Sequence, residues 1–434
     1  MGFTAQVLVI ADEHGPVFAA ADLLQDRGLP TILAETDQSA RTAAKDLKVD
    51  IVLIDAKTRE SAEIEELARQ LKQDCGVRPL PIVVVSDRIE QSDDQLFASI
   101  LFPPIHPAQL VARVQSALRL CLMEEEVRLR AQTMTELGHA LRLSGLEALD
   151  DQPISVLFTG GPAPQFIALK NALEQSGAEV TAALTSFTSF DYLHDKTFDV
   201  VLLNVLKELE PAFTIAAAMR RNTRLFHVPA VMLVDPTKFE AVDEAFSRGA
   251  SDLVHPDGDM DIARQRILNL GYERRRREQV KRAFEAVRNS AVIEPQTGLF
   301  TPEFFARHLA NVTKQAKIID RPLSLAVIRA TPPPGIHGAH VEAARKQFGG
   351  MLRHLVRAED MAARIDPGVF SILMPGASKQ PAEAAAKRIA GVVECTAFEQ
   401  GNDEKSFQLE LEVEVLELRP RETPADLMER AARV

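Results

Sequence analysis

An internal repeat of buried strand segments constrains the fold of this chain more than any other feature. Near the start, three apolar runs alternate with helical patterns, and three similar runs follow later. The runs of the first copy are Gln6–Ile10, Asp50–Asp55 and Pro81–Ser86. Those of the second copy are Ser155–Phe158, Asp199–Asn204 and Pro229–Val234. The ends of the second and third runs lie 149 and 148 residues apart in the two copies, so the repeat keeps its register over most of a domain.

Continuous Val, Ile and Leu strands that alternate with amphipathic helices predict a parallel sheet covered on both faces, a doubly wound α/β fold. In this fold, chemistry collects at the carboxyl ends of the strands. Asp12, Asp55 and Ser86 each follow such an end in the first copy. Two carboxylates and a hydroxyl suit a divalent cation and a phosphorylatable aspartate. The spacing alone equally fits polar residues that merely end strands.

The first copy resembles the receiver domain of two-component response regulators. The resemblance makes Asp55 the phospho-acceptor, Asp12 one of the paired metal-binding acids and Ser86 the hydroxyl that contacts the phosphoryl group. Ala11 replaces the second acid and Pro103 the lysine that reads the phosphate. These losses predict at most a weak Mg²⁺ site at Asp12 and Asp55, with poor coupling of phosphate to the rest of the domain.

The second copy departs further from the receiver pattern. Asn204 stands at the acceptor position, Val234 at the hydroxyl position and His255 at the lysine position. An amide cannot form an acyl phosphate. We therefore expect this copy to be a scaffold or a dimerisation domain.

The third segment changes to an α+β pattern. Strands are predicted at Leu323–Ile328, Met361–Ile365, Val369–Met374 and Phe407–Leu418, and helices at Val341–Val356 and Ala382–Cys395. The order of these elements and the words Glu294–Leu299 and Arg364–Phe370 resemble the GGDEF domain of diguanylate cyclases. The predicted fold is thus two α/β doubly wound, flavodoxin-like receiver domains followed by a degenerate α+β GGDEF (nucleotidyl-cyclase-like) domain.

Several catalytic parts of that family are missing here. Cyclisation of GTP needs acidic metal ligands and glycines that let the nucleotide approach the backbone. The signature hairpin has Pro367 for its second glycine, and Gly368 and Val369 for its two acids. The first-strand metal ligands correspond to Arg329 and Thr331. We therefore predict no cyclase activity, no catalytic residues and no metal in this domain.

One element of the family is retained. Arg357 and Asp360 form an R-x-x-D motif that ends six residues before Asp366, the placement of the family's inhibitory site. The resemblance implies cyclic di-GMP binding at Arg357 and Asp360, with Arg388 as the auxiliary arginine. Arginine can fork onto guanine O6 and N7, and aspartate can accept from guanine N1–H and N2–H. By itself, R-x-x-D more often means an ion pair along a helix.

The connectors are charged and helical. The predicted boundaries are 1–122 for the receiver, 123–152 for a helical connector, 153–270 for the pseudo-receiver, 271–293 for a helical linker and 294–434 for the GGDEF-like domain. The linker carries Arg274–Arg277 between two glutamates. We expect this run to be a solvated helix surface, although it could also bind an anion or an acidic partner.

Length and composition support this organisation. The 434 residues suit about three domains, and Lys+Arg of 50 against Asp+Glu of 62 give a net charge of −12 that disfavours general nucleic-acid or membrane binding. An odd count of 3 cysteines, no long apolar stretch and no basic signal start predict a cytoplasmic protein.

The domain order resembles the PleD-type group of response regulators, and the degenerate hairpin beside an intact R-x-x-D resembles its cyclase-inactive members. This resemblance implies a homodimeric cyclic di-GMP effector in the two-component phosphorelay class. It also implies a proteolysis adaptor that acts in the cell cycle at the cell pole, through adaptor proteins and substrates of the Clp protease. The alternatives are an active diguanylate cyclase with unusual metal ligands, and a phosphorylation-driven response regulator that ignores the nucleotide.

Overall fold

The computed structural model describes residues 5–11, 16–56, 59–86, 96–139, 152–206, 208–255, 258–399 and 406–433. Three larger sheets form, each from its own stretch of chain, and a short two-stranded sheet accompanies the third.

The first sheet is parallel with strand order β2-β1-β3-β4-β5. Its elements are β1 (Val7–Ile10), α1 (Pro16–Asp26), β2 (Thr31–Ala34), α2 (Asp37–Asp46), β3 (Ile51–Asp55), α3 (Ser61–Asp74), β4 (Ile82–Val85), β5 (Ser99–Leu101) and α4 (Pro107–Glu136). The central strands β1, β3 and β4 are apolar and almost fully buried because helices cover both faces of the sheet.

The second sheet repeats the first, with order β7-β6-β8-β9-β10 and parallel pairing throughout. Its elements are β6 (Ser155–Thr159), α5 (Pro164–Gln175), β7 (Glu179–Ala183), α6 (Ser186–Asp195), β8 (Val200–Asn204), α7 (Glu210–Arg221), β9 (Ala230–Leu233), α8 (Val242–Ser247), β10 (Asp252–Val254) and α9 (Met260–Val287). Even a side-chain contact recurs: Asp50 accepts from the Gln6 N–H and Asp199 from the Ser155 N–H, both at 2.9 Å.

The third sheet is antiparallel, with order β12-β13-β11-β16. Its elements are α10 (Pro302–Ile318), β11 (Leu323–Thr331), α11 (Ala339–Leu355), β12 (Met361–Asp366), β13 (Val369–Pro375), α12 (Lys379–Glu394), β14 (Phe398–Glu399), β15 (Ser406–Phe407), β16 (Glu410–Glu417) and α13 (Pro424–Ala432). The predicted fold class, two parallel α/β domains followed by an α+β domain, is confirmed. The single strand predicted at Phe407–Leu418 is instead the two strands β15 and β16. The domain boundaries stay a prediction.

Two long helices connect the three domains. The last helix of the first domain, α4, continues well past the sheet that it covers, and α9 does the same in the second domain. They pack together through an apolar cluster of Met123, Val127, Val280, Ala283 and Phe284. We call this pair of helices the stalk.

A buried polar cluster joins the stalk to the third domain. Arg130 donates from Nε to Glu126 Oε1 at 2.8 Å, and His308 Nε2 of α10 lies 2.8 Å from the same oxygen. These three side chains are at most 2% exposed. Burial alone would raise the pKa of the Glu126 carboxyl, but the facing His308 and Arg130 hold that pKa below its ordinary value.

The expectation that Arg274–Arg277 form a solvated surface is wrong. Arg274 and Arg275 pair with Asp199 at 3.2 and 2.8 Å, and Arg276 pairs with Glu124 at 2.6 Å. These three side chains are only 12–15% exposed. The neighbouring glutamates suggested local pairs along one helix, whereas the actual partners lie about 75 and 150 residues away in the sequence.

Within the described residues, no helix combines the length and the apolar character that crossing a membrane requires.

Removing Arg130 should destabilise the protein more than removing an exposed arginine of the same helix. Arg130→Met leaves a buried carboxylate with one partner fewer, a loss that costs about 3–5 kcal/mol. We expect the free energy of unfolding to fall by about that amount for the transition that includes the third domain, measured by urea unfolding. The control, Arg128→Met, changes an exposed side chain and should stay within about 0.5 kcal/mol of wild type. Equal unfolding curves for both variants would contradict this role.

Candidate ligand-binding and phosphorylation sites

The R-x-x-D motif forms a tight turn between α11 and β12. The helix ends at Leu355, so Arg357 and Asp360 lie beyond it and do not form an ion pair along a helix. The Arg357 N–H donates to Asp360 Oδ2 at 3.3 Å, and the Asp360 N–H donates to the Arg357 carbonyl at 3.1 Å. The backbone of the motif is thus closed on itself, which fixes the relative position of the two residues.

The stalk holds this turn in place. Glu359, 1% exposed, accepts from Arg119 Nε of α4 at 3.0 Å. From the same helix, Arg130 Nη2 donates to the carbonyls of Glu359 at 3.1 Å and of Asp360 at 3.0 Å. Sequence reasoning missed Arg119, Arg130 and Glu359, because nothing local indicates contacts between residues 229 to 240 positions apart.

Asp360 is held in an unusual protonation state. Burial of its carboxyl, reinforced by the neighbouring Glu359, raises its pKa to about 7, against the opposing effect of Arg357. The carboxyl is therefore partly protonated near neutral pH. Perturbed groups of this kind are common at binding sites, although structural networks also produce them.

Arg388 lies close to the same turn. It is exposed on α12, and its Nη2 donates to the Leu355 carbonyl at 3.3 Å, two residues before Arg357. The structure therefore places Arg357, Asp360 and Arg388 around the carboxyl end of α11. An exposed guanidinium, a second arginine and a carboxyl at one helix end could together contact a guanine base and a phosphate.

The signature hairpin does not fit a metal ion. Gly368 has φ +81°, and a Cβ there would lie 2.9 Å from Arg345 Nη2. On β11, Arg329 pairs in register with Val369 of the hairpin on one side and with Glu412 of β16 on the other. The Arg345 guanidinium next to Gly368 disfavours a cation at the hairpin, while Arg329 Nη2 donates to the Ala432 carbonyl at 3.4 Å. Across the described residues, no group of three histidines, cysteines or acids is placed to hold a metal ion.

In the first domain, Asp55 and Ser86 meet at the carboxyl edge of the sheet. Asp55 ends β3 and pairs in register with Val85 of β4, and the fully buried Ser86 follows directly. The Ser86 N–H donates to the Leu101 carbonyl at 2.9 Å, which fixes the strand end. Asp12, the third predicted residue, lies outside the described residues.

The loop that carries Pro103 in place of the family's lysine is bound by the second domain. Arg266 of α9 donates from Nη2 to the carbonyl of Phe102 at 2.6 Å, and its Nε lies 3.2 Å from Asp252. A guanidinium from another domain therefore contacts the backbone next to the phosphorylation edge.

In the second domain, the side chain of Asn204 occupies the corresponding edge of the sheet with its own hydrogen bonds. Asn204 Nδ2 donates to the Gly161 carbonyl at 2.7 Å, and its Oδ1 accepts from the Leu206 N–H at 3.1 Å. A Cβ at Gly160 would lie 2.9 Å from the Asn204 Cβ, so the backbone approaches this amide closely. The Asn204 side chain therefore forms hydrogen bonds with the loops that would surround a phosphoryl group.

Two receiver folds followed by a GGDEF-type domain define a class of response regulators, and the comparisons with known proteins agree. No family model matches the chain. Over 446 residues the chain is 24% identical to the response regulator PleD of Caulobacter vibrioides, covering 99% of this chain and 95% of that protein. The DNA-binding response regulator MtrA of Mycobacterium tuberculosis is 27% identical over 156 residues, 33% of this chain and 67% of MtrA.

Among solved structures, the FimX GGDEF domain from Pseudomonas aeruginosa is 28% identical, covers 33% of this chain and 90% of that one, and has a TM-score of 0.31. The chain is thus similar to PleD over nearly its whole length, which agrees with two receiver-like domains followed by a GGDEF-type domain.

The raised pKa of Asp360 predicts a pH-dependent stability. A carboxyl whose pKa is raised by folding, here from 3.8 to about 7, favours the native state at low pH, and that contribution is lost as the pH rises toward 7. Asp360→Asn replaces the carboxyl with a neutral group of equal size. We expect its melting temperature to exceed that of wild type by a margin that grows from pH 5 to pH 8, measured by thermal unfolding. A margin independent of pH would show that Asp360 titrates normally.

Proposed function

We propose that this response regulator is a cyclic di-GMP effector without diguanylate cyclase activity, which acts through contacts with other proteins. One observation carries the proposal. Arg357, Asp360 and Arg388, predicted from sequence as a nucleotide site, lie around one helix end, and two arginines of the stalk contact the turn that contains Arg357 and Asp360.

The chemistry of this cluster suits guanine nucleotides. An arginine fork can donate to guanine O6 and N7, and an ionised Asp360 can accept from N1–H and N2–H. The second arginine supplies charge for a phosphate. With a pKa of about 7, Asp360 is ionised in a substantial fraction of molecules at neutral pH, and a guanine donor pair favours that form.

The residues at the hairpin support the absence of cyclase activity. Arg329 and Thr331 take the place of carboxylates on β11, and Gly368 and Val369 take the place of the hairpin acids. Two-metal catalysis needs carboxylates to hold the cations that activate the attacking hydroxyl. Without these carboxylates, the domain would keep its fold but could not hold the cations that cyclisation of GTP requires.

The combination of an R-x-x-D turn with a signature hairpin that lacks its two acids closely resembles PopA, a cyclase-inactive relative of PleD. On that resemblance we propose that the chain forms a homodimer and works as an adaptor in cell-cycle-regulated proteolysis at the cell pole. Its protein partners would then be other adaptors and Clp protease substrates.

Calorimetric titration with cyclic di-GMP tests the nucleotide site. We expect saturable binding by the full chain, and a dissociation constant raised about 10- to 100-fold in Arg357→Ala, since one bidentate arginine contact contributes about 1–3 kcal/mol. Arg353→Ala is the matched control, because Arg353 is an exposed arginine on α11 whose ion pair to Glu285 spans 3.6 Å. It should bind like wild type.

Two outcomes would contradict the proposal. Equal affinities for wild type and Arg357→Ala would exclude the R-x-x-D turn as the site. Formation of cyclic di-GMP from GTP with Mg²⁺ or Mn²⁺ would instead show an active cyclase with unusual metal ligands.

We also propose Asp55 as a phospho-acceptor, supported by its position beside Ser86 at the sheet edge. Labelled acetyl phosphate with Mg²⁺ should label the wild type and not Asp55→Asn, because only a carboxylate can form the acyl phosphate. Asp46→Asn, a change on the exposed end of α2, should label like wild type. Equal labelling of Asp55→Asn would place the modification elsewhere.

A further inference from the structure

A cavity of about 330 Å³ lies between the first and second domains, and its lining includes neither the R-x-x-D residues nor Asp55 and Ser86. The stalk forms one wall. The other wall comes from the second domain: the end of α7, the chain that follows it, and the residues before β10. Its polar lining residues are Gln109, Arg113, Ser116, Arg220, His227, Ser251, Glu273, Arg274 and Arg277.

Positive charge dominates this lining. Four arginines face one glutamate, Glu273, which pairs with Arg113 at 2.6 Å. Arg274 shares Asp199 with Arg275, which does not line the cavity. In the part of the chain that the structure describes, neither Arg220 nor Arg277 has a carboxylate within 4.0 Å. An excess of cationic side chains in a partly enclosed space attracts an anion.

The two arginines without carboxylates are held in place by neutral partners. Arg220 donates to the carbonyls of Gly249 at 2.7 Å and Val228 at 3.0 Å. Arg277 donates from Nη2 to Ser116 Oγ at 2.9 Å. Neutral oxygens fix both guanidinium groups, and the more distant carboxylates of Glu273, Glu278 and Glu359 also act on Arg277 without forming an ion pair with it among the described residues.

His227 is a further polar residue of the cavity lining. Its burial, followed by the charges of Arg277, Lys281, Arg119 and Arg220, lowers its pKa to about 3. The imidazole is therefore neutral at physiological pH. Phe226 and Phe246 line the cavity next to these polar groups and offer apolar surface to the remainder of a ligand.

We propose that this cavity binds a small phosphate-bearing anion that bridges the two receiver folds. Phosphate oxygens accept several hydrogen bonds and carry the charge that the lining lacks. The volume lies at the lower end of the range for small-molecule sites, which suits a nucleoside monophosphate or a diphosphate group. The site shares no lining residue with the R-x-x-D turn, so it does not depend on the proposed cyclic di-GMP function.

Titration of the full chain with pyrophosphate and with GMP, in buffer without Mg²⁺, tests the site. We expect saturable binding of at least one of the two probes. Arg277→Met should weaken it about 10-fold or more, as expected for the loss of charge-assisted hydrogen bonds. Gln109→Glu should abolish it, because the new carboxylate takes the place of the anion among the arginines while keeping the side-chain shape. Thermal unfolding checks that both variants are folded.

Two controls make the result specific. Arg276→Met removes an arginine of the same run that lines a different cavity and pairs with Glu124, and it should leave binding unchanged. Arg357→Ala should also leave it unchanged, which separates this site from the R-x-x-D turn. No saturable binding of either probe, or equal affinities in wild type, Arg277→Met and folded Gln109→Glu, would overturn the proposal.

Discussion

Arg130 joins more parts of the chain than any other side chain described above, at the junction between the stalk and the third domain. It is 2% exposed, pairs with Glu126, and donates to the carbonyls of two residues in the R-x-x-D motif. Its guanidinium also lies over the rings of Phe284 at 4.6 Å and Phe300 at 5.5 Å. Burying an arginine is costly unless its donors are satisfied. Its partners come from α4, α9, the segment before α10 and the motif, so the cost is offset only when all of these elements are packed together.

Through Arg119 and Arg130, helix α4 connects the R-x-x-D turn to the first receiver domain. The helix that carries Arg119 and Arg130 begins at the end of that receiver's sheet, a few residues after the loop that Arg266 contacts. The receiver also binds the second domain directly, since Ser99 Oγ and Arg113 Nη1 both donate to Glu273 at 2.6 Å. A shift of α4 relative to α9 would therefore have to break contacts at both ends of the stalk. Such a pair of helices is suited to discrete rearrangements because packed interfaces are not continuously deformable.

Local sequence patterns predicted most helices and strands of the fold. They did not predict the ion pairs between residues that are far apart in the sequence. The apolar runs that became β3 and β8 identified strands because continuous burial needs no knowledge of partners. The repeat offset placed Asp50 and Asp199 in equivalent positions, and the structure gives them equivalent backbone hydrogen bonds. The pairing of Arg119 with Glu359 has no such signal, since the two residues belong to different domains and lie 240 positions apart in the sequence. The same reason explains the wrong prediction for Arg274–Arg277: a basic run on a helix looks solvated until its distant carboxylates are known.

The net charge of −12 says less about which ligands the protein binds than the positions of its individual charged side chains do. At physiological ionic strength, interactions between exposed charges more than about 8 Å apart are largely screened, so the net charge of the surface does not determine which anion a particular arginine can bind. Several arginines lie along the stalk, among them Arg113, Arg119 and Arg130, and Arg357 lies in the turn beyond α11. Both proposed ligand sites contact α4 or the turn that α4 holds. A ligand that binds only the docked arrangement stabilises it by RT ln(1 + [L]/Kd), so occupation of either site would strengthen the same set of stalk contacts. The two sites would then be coupled through the packing of α4 against α9, without any direct contact between their ligands.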